Sequence, residues 1–509
     1  MPTRSTTAAR AGGLLLAGTL LSGCFSAGPA GTGDAGGADA AAPDDRIRIA
    51  HLQPPRSALS PLSDDAFKLS RWSTAETLVV LDEAGDAQPA LATAWEQVDD
   101  LTWRFAVRPG VTFHDGTDLT AAAVVRSLTA AAGATTPPRI LDGVDLTAEV
   151  DPADPSAVLV RTAEVDPLVP QRLSSPQLVV LAEAAYGDGG VVDPVGTGTG
   201  AFELTVRDGT TGATLERYDD YWGEPAAAAG IDARYVSDGT ARAAALRTGT
   251  ADVVEAIPVS QASLVDEELI TEVPMPRTNT LYLNTADGVL ADPALRAAVR
   301  EAVDAEGIVE GVYEGRADVA EGLLGPALPW AAEGRPDRTP TAAGTVPPGT
   351  PLTLGTFTDR AELPEVAVQL EQQLEAVGFD VTQEVREYAQ IEADALDGAF
   401  DAFVLSRATV LDSGDPVAYL YSDFACEGSF NISQLCDPEV DAALVRASRT
   451  PPGDARRAAV LEAERLVLEA DAGIPMLHER VVQGESARVA GAARDPRERL
   501  LVLPGTSVG

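Results

Sequence analysis

The sequence predicts an α/β protein with more than one domain, and three observations support this prediction. The chain has 509 residues, whereas single hydrophobic cores stop growing at about 250–300 residues. Residues 46–52 alternate between polar and apolar side chains, with Ile47 and Ile49 on one face, as in a half-buried strand. Residues 351–405 contain strand, helix, strand and strand patterns in succession, and this order predicts a mostly parallel sheet.

The unit formed by residues 351–405 divides into clear elements. Residues 351–356, 379–385 and 399–405 are alternating or apolar segments of strand length. Residues 362–377 predict an amphipathic helix because Val366, Leu370, Leu374 and Val377 fall on one stripe. Gly378 follows that stripe directly and predicts the end of the helix.

Residues 76–121 contain a dense succession of turn signals and short elements. An apolar run at residues 78–81 precedes a turn, and Pro89 predicts a short helix over residues 89–95 because a proline loses no hydrogen bond at a helix start. Residues 102–107 alternate as a strand, with Trp103, Phe105 and Val107 on one face. A short strand is predicted at residues 111–113, and Thr120 is expected to cap a helix that reaches residue 130.

The charge and the rare residue types restrict the function. The net charge is −41, from 78 acidic against 37 basic residues, and Lys68 is the only lysine. Such a surface repels nucleic acids and anionic membranes, so we expect no nucleic-acid partner. The three histidines and three cysteines form no cluster with metal-site spacing, so neither a metal nor another cofactor is predicted.

The stretch of residues 76–121 resembles the extracellular solute-binding proteins of ABC importers, in the family that carries oligopeptides, dipeptides and nickel. Many positions match in order, which makes the resemblance specific, although Ala122 and Ala123 stand where family members often have Glu-Asp. Residues 193–202, 215–223, 249–258, 281–286 and 292–304 resemble later segments of the family in the same order. The matching residues of the first stretch are Glu76, Leu78, Gly85, Pro89, Ala90, Leu91, Ala92, Trp95, Thr102, Phe105, Arg108, Gly110, Val111, Phe113, His114, Asp115, Gly116, Leu119, Thr120 and Ala121.

The glycine-rich run at residues 193–202 has two interpretations. It lacks the Lys-Ser/Thr pair of a phosphate-binding loop, so that interpretation is rejected. It resembles the family element in which the chain returns from the second domain to the first, with Thr199 in place of the usual proline. The glycines are expected to supply the backbone angles of that crossing.

The resemblance implies a two-lobed, periplasmic-binding-protein-like α/β fold with three domains around a hinge. Domain I is expected to comprise residues 46–68, 193–284 and 480–509, domain II residues 69–192, and domain III residues 285–479. The implied function is capture of di- or oligopeptides between the lobes and delivery to a membrane permease, without catalysis. A ligand that binds the closed form better would drive closure. We expect a monomer.

Residues 1–23 are predicted to be a lipoprotein signal peptide. Arg4 and Arg10 precede an apolar segment, residues 11–21, that is too short to span a bilayer. Leu-Ser-Gly-Cys at residues 21–24 resembles the bacterial lipobox, which implies cleavage before Cys24 and a lipid on its sulfur; an ordinary secretory signal with a stray cysteine is the alternative. Residues 24–45 predict a flexible tether. The implied location is the outer face of the cytoplasmic membrane of a bacterium.

Four residues are candidates for ligand binding. In peptide-binding members a D-x-x-D/E-P pattern supplies a carboxylate that anchors the peptide's α-amino group, and Asp412 matches it; a turn explains the same residue equally well. Arg71 and Trp72 end a segment that lines the cleft in the family, although a tryptophan is more often a core residue. Asn279 is the fourth candidate. His478 is expected to be a hydrogen-bonded structural histidine.

Cys426 and Cys436 are separated by nine residues, and in an exported protein they predict a disulfide. Closing so small a loop would contribute about 2–3 kcal/mol. A metal site is disfavoured because no histidine is near in the sequence, and a catalytic thiol is disfavoured because no base is adjacent.

Two other functions stay open on the sequence alone. A secreted hydrolase would need a nucleophile with a base or a pair of tuned carboxylates, and the 78 acidic residues allow the latter. The same fold could instead bind a sugar, an opine, a siderophore-like molecule or a nickel complex. Nickel is less favoured because the candidate cleft segments are not rich in histidine.

Overall fold

The computed structural model describes residues 45–187, 190–410 and 413–509. Within these residues the main element is a mixed sheet of eleven strands, accompanied by smaller sheets and by α-helices. The strands are β1 (Arg46–His51), β2 (Val79–Leu81), β3 (Ala87–Pro89), β4 (Ala92–Asp99), β5 (Thr102–Val107), β6 (Leu146–Val150), β7 (Ala157–Thr162), β8 (Phe202–Asp208), β9 (Gly212–Arg217), β10 (Gly230–Tyr235), β11 (Val253–Ile257), β12 (Ile270–Leu283), β13 (Ala317–Val319), β14 (Thr350–Phe357), β15 (Phe379–Arg386), β16 (Ala402–Ala408), β17 (Gly473–Glu485), β18 (Val489–Ala490) and β19 (Ser507–Val508). The helices are α1 (Ala66–Arg71), α2 (Ala121–Ala132), α3 (Val169–Arg172), α4 (Gly239–Arg247), α5 (Val259–Ala262), α6 (Pro293–Ala302), α7 (Ala305–Val312), α8 (Pro329–Gly334), α9 (Glu362–Val377), α10 (Tyr388–Leu396), α11 (Val417–Phe424), α12 (Pro438–Arg449) and α13 (Asp454–Glu469).

Two long strands carry the main sheet from one half into the other. The strand order is β15-β14-β16-β12-β17-β11-β1-β10-β9-β8, with β13 paired to β17. Residues 270–274 of β12 pair with residues 480–484 of β17 beside β11, whereas residues 278–282 pair with residues 473–478 beside β16. The register slips between Pro274 and Thr278. We call the part built on β1–β11, with the residues after β17, lobe 1, and the part from α6 to α13 lobe 2.

Separate hydrophobic cores support the two lobes, and the predicted α/β architecture with more than one domain is confirmed. Lobe 1 has one core beneath the antiparallel sheet β4-β5-β7-β6 and another beside β1. Representative core residues are Leu354, Leu370 and Phe403 in lobe 2, Phe105, Val124 and Val160 beneath the small sheet, and Ile47, Phe202 and Ile231 beside β1. Among the helices of the described residues, none combines the length and the apolar character that a membrane span requires.

The elements of lobe 2 follow the sequence pattern closely. Strand β14 pairs in parallel with β15 and with β16, as the β-α-β order predicts. Helix α9 has the predicted bounds, and Gly378 ends it with a φ of 119°, in the left-handed region that favours glycine. In lobe 1, Thr120 caps α2 as predicted, since its Oγ1 accepts from the backbone N of Ala123 at 3.2 Å.

The helix predicted at residues 89–95 is wrong. Pro89 ends β3, which pairs antiparallel with β2, and Trp95 lies in β4, opposite Phe105 of β5. A proline is compatible with the end of a strand as well as with a helix start, and the pairing of β4 with β5 outweighs the local preference. The strand predicted at residues 111–113 is reduced to an isolated bridge between Thr112 and Asp118.

Two glycines of the run at residues 193–202 are required by close packing. A Cβ atom on Gly198 would lie 1.9 Å from the carbonyl oxygen of Thr74, and one on Gly200 would lie 2.1 Å from that of Ser73. Within the run, Gly196 has the positive φ, 66°. The expectation of unusual backbone angles therefore applies to Gly196, whereas at Gly198 and Gly200 two main-chain segments touch and leave no room for a side chain.

A buried carboxylate joins two parts of lobe 1. Glu76 accepts hydrogen bonds from Thr199 Oγ1 at 2.8 Å, Trp222 Nε1 at 2.9 Å and the Tyr221 hydroxyl at 3.0 Å. Burial raises the pKa of Glu76, although these three donors act in the opposite direction. Arg108 lies over the Trp222 ring, with its Cζ 4.4 Å from the centroid. These motif residues therefore have a structural role, because they tie residues 76–121 to the segment that follows β9.

Candidate functional site

Three arginines converge where β12 crosses between the lobes, and we call Arg139, Arg277 and Arg360 the arginine cluster. Arg277 lies in β12 opposite Ala408 of β16, Arg360 lies between β14 and α9, and Arg139 begins the short 3-10 helix Arg139–Leu141 of lobe 1. Burial, and then the positive charge of Arg360, lowers the pKa of the Arg277 guanidinium, with a smaller contribution from Arg139. The cluster concentrates positive charge in a chain whose net charge is −41.

The guanidinium of Arg277 has donors to spare. Its Nε lies 3.8 Å from Glu498 Oε1, and its side chain makes no hydrogen bond within the part of the chain that the structure describes. The side chain is 22% exposed, so solvent reaches it from one side. A guanidinium presents five N–H donors in a fixed fork that matches a carboxylate. Arg277 therefore has N–H donors available to a further acceptor.

Glu479 offsets part of the positive charge of the cluster. Arg360 Nη1 donates to Glu479 Oε2 at 2.6 Å. Although burial opposes ionisation, the positive charges of Arg360 and Arg277 lower the pKa of Glu479. With Glu498 beside Arg277 and Asp64 3.3 Å from Arg139 Nη1, three carboxylates accompany the three guanidinium groups, and the donors that stay unused are those of Arg277.

Asn279 shares a face of β12 with Arg277, because side chains two residues apart in a strand point the same way. Its Nδ2 donates to the Tyr313 hydroxyl at 2.9 Å. Its Oδ1 is buried and has no hydrogen-bond partner among the described residues. Asn279 is completely buried, so this face of β12 presents the donors of Arg277 to solvent but not the Oδ1 of Asn279.

Arg71 and Trp72 belong to a buried network of lobe 1. Arg71 pairs with Glu255 and, through Nη2, with Glu498 Oε2 at 3.1 Å. Trp72 is fully buried, and its Nε1 donates to His51 Nε2 at 2.8 Å. The His51 proton therefore sits on Nδ1, 3.2 Å from Glu255 Oε2. Although burial opposes it, the positive charge of Arg71 holds the pKa of Glu255 well below its usual range.

The lobes touch at the turn between β2 and β3, which we call the 82–86 turn. Asp86 Oδ2 lies 2.7 Å from Nη2 of Arg457 in α13. Gly85 packs against Gly414, since a Cβ on Gly85 would lie 3.1 Å from the Gly414 carbonyl oxygen. Asp82 Oδ1 accepts from two backbone N–H groups of the turn, each at 3.0 Å, and so fixes its conformation.

The remaining sequence-predicted residues are placed as follows. Asp412 and Cys24 lie outside the described residues. Cys426 and Cys436 form a disulfide in the loop between α11 and α12. Burial lowers the pKa of His478 to about 4, and its Nδ1 lies 3.0 Å from Thr278 Oγ1. The roles of Arg71, Trp72 and Asn279 in ligand binding stay predictions.

Sequence reasoning missed the arginine cluster. Its members stand singly in three distant segments, and the tertiary crossing of β12 brings them together. Pro274 and Pro276 interrupt the strand pattern just before Arg277, and this interruption was the available sequence signal for the cluster.

Residues 505–509 fit the G-x-S-x-G motif of hydrolases, but Ser507 lies in β19, which pairs with β18, and not at a strand-to-helix turn. Among the described residues no group of three or more His, Cys, Asp or Glu is arranged to hold a metal ion.

Comparison with known proteins gives consistent results. Residues 86–431, about two thirds of the chain, match the model of the bacterial extracellular solute-binding proteins, family 5 Middle. The glutathione-binding protein GsiB of Escherichia coli O1:K1 / APEC is 25% identical over 434 residues, which cover 81% of this chain and 84% of GsiB. The structure of a nickel ABC transporter from Bacillus halodurans is 25% identical, with a TM-score of 0.78, and covers 91% of this chain and 100% of that chain. DppA from Helicobacter pylori in complex with the peptide STSA shares the fold at 18% identity, with a TM-score of 0.70 over 91% of this chain and 98% of that chain. The chain therefore belongs to the bacterial extracellular solute-binding proteins of family 5.

Proposed function

We propose that this substrate-binding protein of an ABC importer captures a di- or oligopeptide between its lobes and delivers it to the membrane permease. The observation that carries the proposal is Arg277, whose guanidinium presents unused donors at the strand that joins the lobes. A peptide with a free C-terminus carries the carboxylate that such a fork binds. The glutathione in the name of GsiB and the peptide STSA bound to DppA support a peptide-like ligand.

The position of the arginine cluster couples binding to closure. Arg139 belongs to lobe 1 and Arg360 to lobe 2, while Arg277 lies in the strand that crosses between them. Arg360 and Arg139 repel the guanidinium of Arg277, and an anion bound at Arg277 would offset that repulsion. A ligand that contacts both lobes binds the closed form more tightly, and this difference shifts the population toward it.

The amino end of the ligand is assigned to Asp412. A carboxylate that accepts from an ammonium group forms a charge-assisted hydrogen bond about twice as strong as a neutral one. A carboxylate site at the arginine cluster and an ammonium site at Asp412 would hold both ends of a short peptide. Its affinity would then depend on both termini being free.

Attachment to the membrane through a lipid on Cys24 is part of the same proposal, as is a monomeric state. So is the division into domain I (46–68, 193–284 and 480–509), domain II (69–192) and domain III (285–479). The buried core beneath the small sheet lies within domain II, whereas the core beside β1 takes residues from domains I and II. The lipid is tested by the mass of the N-terminal peptide of the protein isolated from its native membrane. If Cys24 carries the lipid, Cys24→Ser should release the protein into the soluble fraction. If Cys24 is unmodified, the substitution should leave the location of the protein unchanged.

A nickel complex with a carboxylate-bearing chelator is the second candidate ligand. The 25% identity to the nickel transporter of Bacillus halodurans over its full length favours it. The arginine cluster would bind the carboxylates of the chelator, so that the protein need not ligate the metal itself. The two candidates differ in whether binding requires nickel.

The test is calorimetric titration of the purified protein with Ala-Ala, tri-alanine, their C-terminal amides, and nickel with histidine. We expect the free acids to bind at least about tenfold tighter than the amides, because the amide lacks the charge that Arg277 recognises. Arg277→Gln should abolish this preference. The control is Arg217→Gln, which removes an exposed guanidinium paired with Asp219 within lobe 1 and should change nothing.

Three outcomes would contradict or redirect the proposal. Equal binding of acids and amides would show that the cluster does not recognise the carboxylate. Binding of the nickel–histidine mixture without any peptide binding would favour the second candidate. Loss of affinity in Arg217→Gln as great as in Arg277→Gln would point to overall charge and not to the cluster.

A further inference from the structure

Glu498, in the C-terminal segment of lobe 1, lies beside the guanidinium of Arg277. Its Oε2 accepts from Arg71 Nη2 at 3.1 Å, whereas its Oε1 is buried and has no hydrogen-bond partner among the described residues. Arg277 Nε lies 3.8 Å from Oε1, beyond hydrogen-bond distance. A buried carboxylate oxygen without a donor therefore lies close to a guanidinium with unused donors.

The surrounding loop holds Glu498 firmly in this position. Its φ is 59°, in the left-handed region that a residue with a Cβ atom seldom adopts. The Asp495 carboxylate accepts from three backbone N–H groups within residues 497–500. Arg71 Nε donates to the carbonyl oxygen of Glu498 at 2.6 Å. Strained backbone persists only where its surroundings hold it, and it is concentrated at functional sites. The Glu498 carboxylate is therefore fixed, and Arg277 is the partner that can move.

A short movement of Arg277 would join the two groups. A charge-assisted hydrogen bond needs Nε to move from 3.8 Å to about 2.8 Å from Oε1. The side chain of Arg277 has several rotatable bonds and makes no hydrogen bond among the described residues that would oppose this movement. Burial, and then the charge of Arg360, lowers the pKa of Arg277, whereas the charge of Glu498 acts in the opposite direction. Glu498 is thus a counter-ion within reach of Arg277.

We propose that Glu498 is the internal counter-ion of Arg277, which pairs with it in the empty protein and competes with the carboxylate of the ligand. The inference rests on the proposed function, since it concerns the arginine assigned to that carboxylate. Glu498 is a positioning residue, because its buried Oε1 is closed to the ligand and acts through Arg277.

This competition lowers the affinity for the ligand and speeds its release. A ligand carboxylate has to replace Glu498 at the guanidinium, and the negative charge of Glu498 repels it. When the ligand leaves, Arg277 returns to Glu498, so that its charge is not left without a partner. A protein that hands its ligand to a permease depends on such a release step.

The first test compares Glu498→Gln with the wild type by calorimetric titration and by stopped-flow release of Ala-Ala and tri-alanine. Glutamine keeps the size and removes the negative charge, so the free acids should bind about fivefold tighter and dissociate more slowly, whereas the C-terminal amides should gain nothing. In the Arg277→Gln background the same substitution should have little effect, since the two residues act as a pair. The matched control is Glu485→Gln, which removes a carboxylate paired with Arg494 inside lobe 1 and should leave the affinities unchanged.

A second measurement needs no ligand. Phenylglyoxal modifies guanidinium groups, and digestion followed by mass spectrometry gives the rate of modification at each arginine. Arg277 should react several-fold faster in Glu498→Gln than in the wild type, because it has lost its counter-ion. Arg494 should react at the same rate in both proteins. An equal acceleration at Arg494 would mean that the substitution loosens the fold, and it would overturn the proposal.

Three further results would overturn the counter-ion role and leave peptide binding standing. Weaker binding of the free acids to Glu498→Gln would mean that Glu498 orients Arg277 for the ligand and does not compete with it. Equal gains for acids and amides would indicate an effect of overall charge. Unchanged modification of Arg277 would mean that the pair does not form in the empty protein. If no peptide binds the wild type, the proposed function fails, and the modification rates still decide whether Glu498 pairs with Arg277.

Discussion

His114 and His478 are held in surroundings that favour the neutral imidazole. Burial lowers the pKa of each to about 4. His114 Nε2 donates to the carbonyl oxygen of Gly200 at 2.9 Å, and its ring meets Tyr218 edge-on at 4.8 Å between centroids. A proton therefore binds these residues more readily in the unfolded chain than in the folded one.

Mild acid should destabilise the protein through His114. Its contribution is complete above the unfolded pKa of about 6.5 and is lost as the pH falls toward 4, so that about 2 kcal/mol disappears between pH 7 and pH 5. Urea unfolding at both pH values measures the loss in the wild type and in His114→Gln, which keeps an N–H donor but does not titrate. His478 is present in both proteins and cancels. The same pH dependence in both would contradict the prediction.

Single residues were predicted unevenly from the sequence. Cys426 and Cys436 could be paired because an exported chain offers them no other partner nearby. The roles of Arg71 and Trp72 depend on Glu255 and His51, which lie far away in the sequence or across a loop. The arginine cluster could not be predicted at all, because no local pattern marks residues that only a strand crossing brings together.

The 82–86 turn is the element that connects the edges of the two lobes. Its own geometry is fixed by Asp82, and Arg497 from the C-terminal segment donates to the backbone carbonyl of Asp82. Toward lobe 2 it makes the Asp86–Arg457 ion pair, in which the side chains are 43% and 25% exposed. The turn is thus held firmly to lobe 1 and only lightly to lobe 2.

Removing the ion pair should shift the ligand-free protein toward an open form. An exposed pair contributes about 0.2–1 kcal/mol, which corresponds to a change of up to about fivefold in the open-to-closed ratio. Small-angle scattering should show a larger radius of gyration for Arg457→Ala than for the wild type at low salt, and no difference at high salt, where the pair is screened. Arg494→Ala, which removes a pair with Glu485 inside lobe 1, is the control. A difference that persists at high salt would contradict this role.

Elements with a strong internal period were predicted well, and elements defined by their partners were not. Helix α9 needs only its apolar stripe and Gly378 to specify both ends. Residues 89–95 contain a helix-compatible proline and alanines, yet Pro89 ends β3 and residues 92–95 are strand because β5 provides an adjacent edge. Nothing in the sequence of β4 indicates that it will pair with β5, so this pairing is determined by the tertiary structure.

At the scale of the whole molecule, the net charge of −41 sets how stability responds to salt. Repulsion among the excess carboxylates opposes the compact state, and added ions screen it. We expect the melting temperature to rise by about 1 °C between 20 and 500 mM sodium chloride, which corresponds to about 1 kcal/mol for a chain of this length. Sucrose at the same osmolarity is the control, because it crowds the protein without screening its charges. A fall in melting temperature would mean that the ion pairs outweigh the repulsion.

The position of β17 fixes when the protein can fold. This strand begins at residue 473, near the end of the chain, yet it lies between β12 and β11 in the middle of the main sheet. A chain still in synthesis before that point has two sheet fragments with open edges and nothing to join them. The main sheet contains β1, the first strand of the chain, but it is complete only when β17, its last strand in sequence, has been made. Completion of the main sheet therefore comes after almost the whole chain has been synthesised.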